Sequence, residues 1–277
     1  MDLWYTEEQT SSLRFSSKVK ETLAVVQTPY QHLAIIDTES FGPMLVLDGM
    51  VMTTVADEFV YHEMISHPAL FTHPYPRKVA VIGGGDGGAI REVLKHPQVE
   101  KAILAEIDEE VIAQSRKYLP EIAGALDDPK VDIQVGDGFA YLREHKGEFD
   151  VVLVDSTEPV GPAAALFSGD FYAAVYAALK PDGIMVAQTE SPFYNQEILA
   201  GAYKGMQANF PKVRTYLASI PTYPSGLWSF TLASKQYDPL LDQHQPYLGF
   251  SSKYYTPELH RSCFVLPRFV QELLSRP

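Results

Sequence analysis

Apolar runs of strand length recur along the chain after residue 78, and segments of helical character separate them. Such runs are typical of strands that are buried on both faces of a parallel sheet. The alternation predicts a parallel sheet with right-handed crossovers, and a later segment, 229–234, fits an antiparallel edge strand. The predicted parallel strands are 79–82, 102–108, 131–135, 149–155 and 184–187.

The first 56 residues have strand patterns instead and no helical period. The dipeptide Asp48-Gly49 fits a type I′ turn, because that turn needs positive φ at both central residues. Asp57 stands where an N-cap is expected, before a helix that runs towards Pro68. The predicted N-terminal strands are 22–27, 33–37, 44–47 and 50–54.

A glycine-rich loop, 83–88, joins the first parallel strand to a helix expected at 89–95. Strand, glycine turn and helix make the G-x-G-x-x-G fingerprint of a nucleotide-binding fold, where backbone N–H groups favour an anion such as pyrophosphate. Asp86 lies inside this loop, and its carboxylate repels phosphate, competes for those N–H groups and attracts an amine. The loop therefore favours a nucleoside ligand that carries positive charge in place of phosphate.

Carboxylates also follow the next three strands, at the sheet edge where open α/β folds bind ligands. Glu106, about 20 residues past the glycine loop, occupies the position that usually accepts hydrogen bonds from both ribose hydroxyls. Asp137 can accept from an adenine amino group or cap the next helix, and the sequence leaves both roles open. Asp155 lacks an obvious capping role, because proline and glycine follow it closely. With Asp86 and Glu158 it makes a site for a dication attractive.

The 277-residue chain has a net charge of −13 and a pI near 5.0. This acidic balance argues against nucleic-acid binding and is compatible with a cationic substrate. Cys263 is the only cysteine, so an internal disulfide is excluded and a buried apolar role is expected. Neither a membrane span nor a secretory signal is evident, so the expected location is cytoplasmic.

The chain closely resembles the polyamine aminopropyltransferase family, which includes spermidine synthase, over nearly its whole length. The glycine loop alone is shared with methyltransferases and dehydrogenases, but the set of motifs in this order is specific. The resemblance implies an α/β fold with a small N-terminal β domain at 1–56 and a Rossmann-like, methyltransferase-type catalytic domain at 57–277. It also implies a homodimer or homotetramer. The motifs are Leu47-Asp48-Gly49, the stretch from Asp57 to Met64, the 83–88 loop, the stretch from Val154 to Pro159, and the stretch from Pro221 to Gly226.

The same resemblance implies decarboxylated S-adenosylmethionine as co-substrate, putrescine as acceptor, spermidine and methylthioadenosine as products, and neither cofactor nor metal. Asp155 would be the catalytic proton acceptor. The residues implied at the nucleoside are Gln31, Asp86, Glu106, Asp137, Gly138 and Pro162. The residues implied at the polyamine are Tyr61, His62, Asp86, Asp155, Ser156, Thr157, Glu158 and Tyr223.

The expected reaction is an in-line displacement, in which a neutral amine attacks the methylene next to a sulfonium. The sulfonium is already a good leaving group, so no general acid and no metal are needed. An alkylammonium has a pKa near 10.4, and holding it neutral near pH 7.4 costs about 4 kcal/mol. A carboxylate of ordinary pKa is a poor base for it, so positioning by Asp155 counts at least as much as proton abstraction.

The acceptor stays open among putrescine, cadaverine, agmatine and spermidine, which differ mainly in length and head group. A small-molecule methyltransferase is a weaker alternative, because Asp86 and the acidic 155–158 loop suit a donor without a carboxylate and a basic acceptor. Asp86 likewise disfavours a nicotinamide dehydrogenase. A non-catalytic polyamine-binding protein is a further alternative, although such a protein would not need Asp155 or Tyr61.

Overall fold

The computed structural model describes residues 2–159 and 161–276, without the side chains of Gly161 and Pro162. The predicted contact of Pro162 with the nucleoside therefore lies outside the described residues. The N-terminal part forms an antiparallel sheet whose described strands pair in chain order. These strands are β1 Leu3–Thr10, β2 Leu13–Gln27, β3 His32–Thr38, β4 Gly42–Leu47 and β5 Met50–Thr54.

The β4–β5 hairpin confirms the predicted turn. Leu47 pairs with Met50, and the two residues between them, Asp48 and Gly49, have φ angles of 49° and 82°. Both angles are positive, as a type I′ turn requires. The sequence patterns missed β1 and the first half of β2, because most side chains there are exposed or half-buried and no apolar alternation marks the strands.

Helix α1, Glu58–Leu70, is buried along almost its whole length. Asp57 occupies its N-cap position, but the capping prediction was wrong for the side chain, which makes no bond to the first turn. The Asp57 carboxylate instead accepts hydrogen bonds from the hydroxyls of Thr54 and Thr222, at 2.6 and 2.7 Å. These bonds fasten the loop at 220–226 to the end of the N-terminal sheet.

The second sheet has the order β11-β12-β10-β9-β6-β7-β8 among the described strands. The strands from β6 to β10 run parallel to one another, which confirms the predicted parallel sheet. Strand β12 runs antiparallel to both of its neighbours, β10 and β11. The segment predicted as an edge strand belongs to β12, which lies inside the sheet; β11 forms the edge. The strands are β6 Lys78–Gly83, β7 Lys101–Glu106, β8 Val131–Val135, β9 Phe149–Asp155, β10 Leu179–Gln188, β11 Lys212–Ser219 and β12 Leu227–Ser234.

Helices cover both faces of this sheet. One apolar layer joins α1 and α2 to the sheet, and a second layer joins α5, α6 and α7 to the opposite face. Cys263 is buried in the first layer, as predicted. The remaining helices are α2 Gly88–Leu94, α3 Glu109–Tyr118, α4 Pro120–Ala123, α5 Gly138–Glu144, α6 Gly169–Ala178, α7 Gln196–Gln207, α8 Pro257–Ser262 and α9 Arg268–Leu274, with 3-10 turns at Gly124–Asp127 and Gly161–Phe167.

The chain order reverses at β6, which pairs with β7 on one side and β9 on the other. Such a reversal opens a crevice at the carboxyl ends of the central strands, where ligands of open α/β sheets bind. No helix in the described part of the chain is long and apolar enough to cross a bilayer.

Candidate active site

A cavity of about 480 Å³ opens at this crevice, between the carboxyl ends of β6, β7 and β9 and the β4–β5 hairpin. Both sheets therefore contribute to its wall. The structure brings around this one cavity all the predicted site residues whose side chains it describes. They are Gln31, Tyr61, His62, Asp86, Glu106, Asp137, Gly138, Asp155, Ser156, Thr157, Glu158 and Tyr223.

The glycines of the 83–88 loop make room for acidic side chains. A Cβ atom on Gly84 would lie 2.6 Å from Oδ2 of Asp155, and one on Gly85 would lie 2.8 Å from Cγ of Glu106. Gly84 also has a φ of 72°, which residues other than glycine rarely adopt. Asp86 accepts a 2.9 Å hydrogen bond from the Gly88 N–H, so its carboxylate uses a backbone donor that a phosphate would otherwise take.

Glu106 closes β7 and accepts hydrogen bonds from the backbone N–H groups of Gly85 and Asp108, one on each carboxylate oxygen, at 3.0 and 2.9 Å. Each oxygen keeps a further lone pair for a hydroxyl group. Burial raises the pKa of Glu106 to about 7. Gln31 donates a 2.8 Å bond to Asp108, which links the N-terminal sheet to this end of the cavity.

Asp137 takes the capping role that the sequence left open. Its Oδ1 accepts from the backbone N–H groups of Phe139 and Ala140 at the start of α5. The side chain also lines the cavity, so the two roles do not exclude each other. Gly138 packs closely on β6, where a Cβ atom would lie 2.5 Å from Cγ2 of Ile82.

Asp155 lies at the centre of the cavity wall, at the end of β9. The Tyr61 hydroxyl donates a 2.7 Å bond to its Oδ1, and its buried Oδ2 has no partner within the described residues. Burial, together with the charge of Asp86, raises the pKa of Asp155 to about 6. Tyr223 packs on the Tyr61 ring and donates its own hydroxyl to the Met52 carbonyl, which ties β5 to this wall.

His62 lies one residue further along α1 and faces a carboxylate on each side. Its Nδ1 is 2.6 Å from Oε2 of Glu58, and its Nε2 is 3.3 Å from Oδ2 of Asp86. Glu58 was not among the predicted site residues. Its i,i+4 spacing from His62 on the predicted helix is the pattern that points to it.

A smaller cavity of about 40 Å³ continues the first beyond Glu158. Glu7 and Glu190 also line it, and one oxygen of each is buried without a partner within the described ranges. Burial raises the pKa of Glu7 to about 7, that of Glu190 to about 8, and that of Glu158 above its usual value. Trp228 lines this cavity as well.

The sequence analysis missed Glu7 and Glu190. Glu190 lies two residues past the end of β10, so it obeys the same strand-end rule as the other acids, but the predicted strand stopped at residue 187. Glu7 lies on β1, a strand that the sequence patterns did not reveal. Gln188 holds the 155–158 loop, because its side-chain amide donates to the Ser156 and Thr157 carbonyls at 3.1 and 3.5 Å.

Ligand atoms of His62, Asp86 and Asp155 lie within 4.8 Å of one another, the spacing of a metal site. His62 does not fit that role, because each of its ring nitrogens already faces a carboxylate oxygen, at 2.6 and 3.3 Å. The donor set left to a ligand is two carboxylates, which suit an ammonium group.

The sequence matches two protein-family descriptions. Residues 58–244 match the spermine/spermidine synthase domain, and residues 3–55 match the spermidine synthase tetramerisation domain. The polyamine aminopropyltransferase of Thermoanaerobacter sp. (strain X514) is 58% identical over 275 residues, covering 99% of both chains. The chain belongs to the spermine/spermidine synthase family.

Other members of the family agree in sequence and in structure. The polyamine aminopropyltransferase of Bacillus subtilis (strain 168) is 54% identical over 274 residues, which cover 99% of both chains. The crystal structure of the spermidine synthase of Thermotoga maritima has a TM-score of 0.95 at 44% identity, covering 98% of this chain and 94% of that one.

A spermidine synthase in complex with the transition state analogue AdoDATO has a TM-score of 0.96 at 44% identity, with the same coverage of each chain. These relatives confirm the predicted fold class, and they confirm that the chain is an aminopropyltransferase.

Proposed function

We propose that this aminopropyltransferase transfers the aminopropyl group of decarboxylated S-adenosylmethionine to putrescine, giving spermidine and methylthioadenosine. The observation that carries the proposal is the unpartnered, buried Oδ2 of Asp155, a residue that lines the cavity and accepts the Tyr61 hydroxyl on its other carboxylate oxygen. Buried polar atoms normally have partners, so an orphaned carboxylate oxygen at a cavity wall is a strong attraction for an N–H donor. A substrate amine supplies that donor.

In the proposed reaction Asp155 holds the attacking nitrogen in line with the methylene carbon next to the sulfonium. The nitrogen lone pair forms the new C–N bond as the C–S bond breaks, and the electron pair of that bond stays on the thioether sulfur. The raised pKa of Asp155, about 6, is closer to the pKa of an alkylammonium than that of an exposed aspartate is. Asp155 is therefore the better proton acceptor. Positioning still supplies most of the effect, because correct orientation is worth roughly 7–11 kcal/mol.

On the donor side, we propose that Glu106 accepts from the ribose hydroxyls, while Gln31, Asp137 and Gly138 surround the nucleoside. Asp86 would bind the ammonium of the aminopropyl group. Ordinary S-adenosylmethionine carries a carboxylate at this position, and its charge would be repelled by Asp86.

On the acceptor side, the distal ammonium would lie near Glu158, where the two cavities meet. Glu7 and Glu190 enlarge the acidic wall beyond it. A cluster of acids with raised pKa values binds a cation at the cost of releasing protons, so the smaller cavity suits one further ammonium group. Putrescine would place its attacking amine at Asp155 and its distal ammonium near Glu158.

The test is methylthioadenosine release from decarboxylated S-adenosylmethionine with putrescine, cadaverine, agmatine or spermidine as acceptor. We expect release with putrescine, and a fall of about 10²–10⁴-fold in kcat for Asp155→Asn. Asp150→Asn is the matched control, because Asp150 is a buried carboxylate at the other end of β9 that pairs with Lys180. Release only with agmatine or only with spermidine would assign that amine as the acceptor in place of putrescine. No release with any amine would contradict the proposed reaction.

We also propose that the N-terminal sheet assembles the chain into a homotetramer. The match to a tetramerisation domain at residues 3–55 supports this, as do the exposed apolar side chains of Leu3, Trp4 and Val25 on β1 and β2. Large exposed apolar groups on a sheet edge are typical of interaction surfaces. Light scattering of wild type and Trp4→Glu tests it: a monomeric wild type would contradict the assembly.

A further inference from the structure

The charge of His62 follows from its surroundings. Its two ring nitrogens lie 2.6 Å from a Glu58 oxygen and 3.3 Å from an Asp86 oxygen, and the residue is only 1% exposed. A neutral imidazole has one N–H and one lone pair, so it would point that lone pair at a carboxylate. The two contacts therefore favour an imidazolium with both nitrogens protonated.

Further groups, charged and uncharged, surround the ring and its carboxylate partners. Asp155, at the end of β9, lies within the same 4.8 Å cluster, and Arg91, on α2, bonds the Glu58 oxygen at 2.7 Å. The neighbouring Tyr61 ring meets the imidazole edge-on, and the Gly88 backbone packs so closely that a Cβ atom there would lie 2.2 Å from the ring. Burial opposes the charge on His62, but the carboxylates of Asp86 and Glu58 outweigh it and raise the pKa well above its usual value.

We propose that Glu58 is a positioning residue that keeps His62 positively charged, and that His62 in turn keeps Asp86 ionised and aimed at the donor's ammonium. Glu58 lies behind His62, outside the linings of both cavities, so it acts without touching a substrate. Arg91 fixes Glu58 from the far side. The step in which Asp86 binds the donor's ammonium rests on the proposed function.

A positive charge on His62 offsets the repulsion between the two buried carboxylates of the cavity. Asp86 and Asp155 are close enough for their charges to interact, and two buried carboxylates without a cation share a proton. The His62 cation contacts Asp86, and its charge lowers the pKa of Asp86 although burial opposes it. Asp86 is then ionised before the donor arrives, while Asp155 is the member of the pair with the raised pKa.

The decisive variant is Glu58→Gln, because its amide can still bond Nδ1 while the charge is lost. The measurement is the ¹⁵N and ¹H spectrum of the His62 ring between about pH 6 and pH 9, with the resonances assigned by comparison with His62→Gln. We expect a doubly protonated ring throughout in the wild type and a titrating ring in Glu58→Gln. Above that titration the donor KM should rise about tenfold, with a smaller change in kcat, since one pKa unit corresponds to a factor of ten.

Asp182→Asn is the control, because Asp182 faces the buried His73 at 3.7 Å and lies outside both cavities and away from Arg91. It should lower stability and leave the His62 spectrum and the donor KM unchanged. The double variant Glu58→Gln/His62→Gln should be no worse than His62→Gln alone, because Glu58 acts through His62.

A His62 ring that is neutral near pH 7 in the wild type would overturn the proposal without any variant. The proposal would also be overturned if the two substitutions had multiplying effects on the donor KM in the double variant, since Glu58 would then act independently of His62. The spectrum needs no substrate, so it separates this proposal from the proposed function, which fails if the wild type releases no methylthioadenosine.

Discussion

The hydroxyl of Tyr61 donates a 2.7 Å hydrogen bond to Oδ1 of Asp155, across 94 residues of sequence. The bond joins α1, which follows the N-terminal sheet, to the end of β9 in the parallel sheet. It occupies one oxygen of the carboxylate and leaves the other free within the described residues. In the proposed reaction, the acceptor amine would thereby be offered a single carboxylate oxygen.

Removal of this bond by Tyr61→Phe should move the acid limb of the pH profile. The Tyr61 hydroxyl stabilises ionised Asp155, so its loss raises a pKa that already stands at about 6. The proposed reaction needs ionised Asp155, and the acid limb of kcat/KM should therefore shift to higher pH, with a loss of about tenfold or more near pH 7. Tyr216→Phe is the control, because Tyr216 donates a buried bond to Met64 on the same helix and lies away from the cavity. An unmoved acid limb would contradict the assignment.

Asp155→Asn should stabilise the protein at neutral pH. The folded-state pKa of Asp155 is raised from 3.8 to about 6, so well below pH 3.8 the group is protonated in both states and carries no penalty. As the pH rises through 6, the folded protein must hold a buried charge, and stability falls by at most about 3 kcal/mol. Urea unfolding of wild type and variant at pH 4.5 and pH 8 checks this. The free energy of unfolding of the variant, relative to that of the wild type, should be larger at pH 8 than at pH 4.5. A constant difference would contradict the buried, raised pKa.

Asp86→Asn should weaken the decarboxylated donor and relax the rejection of S-adenosylmethionine. The substitution removes attraction for an ammonium and repulsion of a carboxylate at the same place, so the ratio of the two affinities should fall by about tenfold or more. Calorimetric titration with both nucleosides measures the ratio. Glu106→Gln is the control, since a ribose contact would weaken both donors equally. Unchanged selectivity in Asp86→Asn would rule out this origin of donor choice.

Glu190→Gln should change the acceptor KM and its pH dependence while leaving the donor KM intact. Burial raises the pKa of Glu190 to about 8, so in the wild type this acid gains its charge, and its attraction for an ammonium, as the pH rises through 8. The acceptor KM should fall over that range in the wild type and stay flatter in the variant. Steady-state kinetics with putrescine and spermidine at pH 7 and pH 9 measures both, and equal slopes would exclude Glu190 from the acceptor path.

Local sequence features determined much of the architecture. Uninterrupted apolar runs have few ways to be buried other than in a parallel sheet, so strands β6 to β10 were predictable. Asp48-Gly49 determined a turn through backbone sterics alone, and the glycines at 83–88 showed where backbone had to approach a ligand or an acid. Because parallel strands end at one edge of the sheet, the acids that follow them, Glu106, Asp137 and Asp155, were placed together before any fold was known.

What the tertiary structure decided depends on contacts between distant segments. Glu7 enters the acidic wall from the first strand, and Glu190 from beyond β10, through a register that no local period encodes. The raised pKa of Asp155 arises from burial and from Asp86, two conditions that exist only after the sheet and the glycine loop have packed. Glu58 carries the helical spacing to His62 in its sequence, but only the approach of Asp86 to the other ring nitrogen makes that histidine a fixed cation. The sequence thus determined which residue types lie at the site, and packing decided their charges.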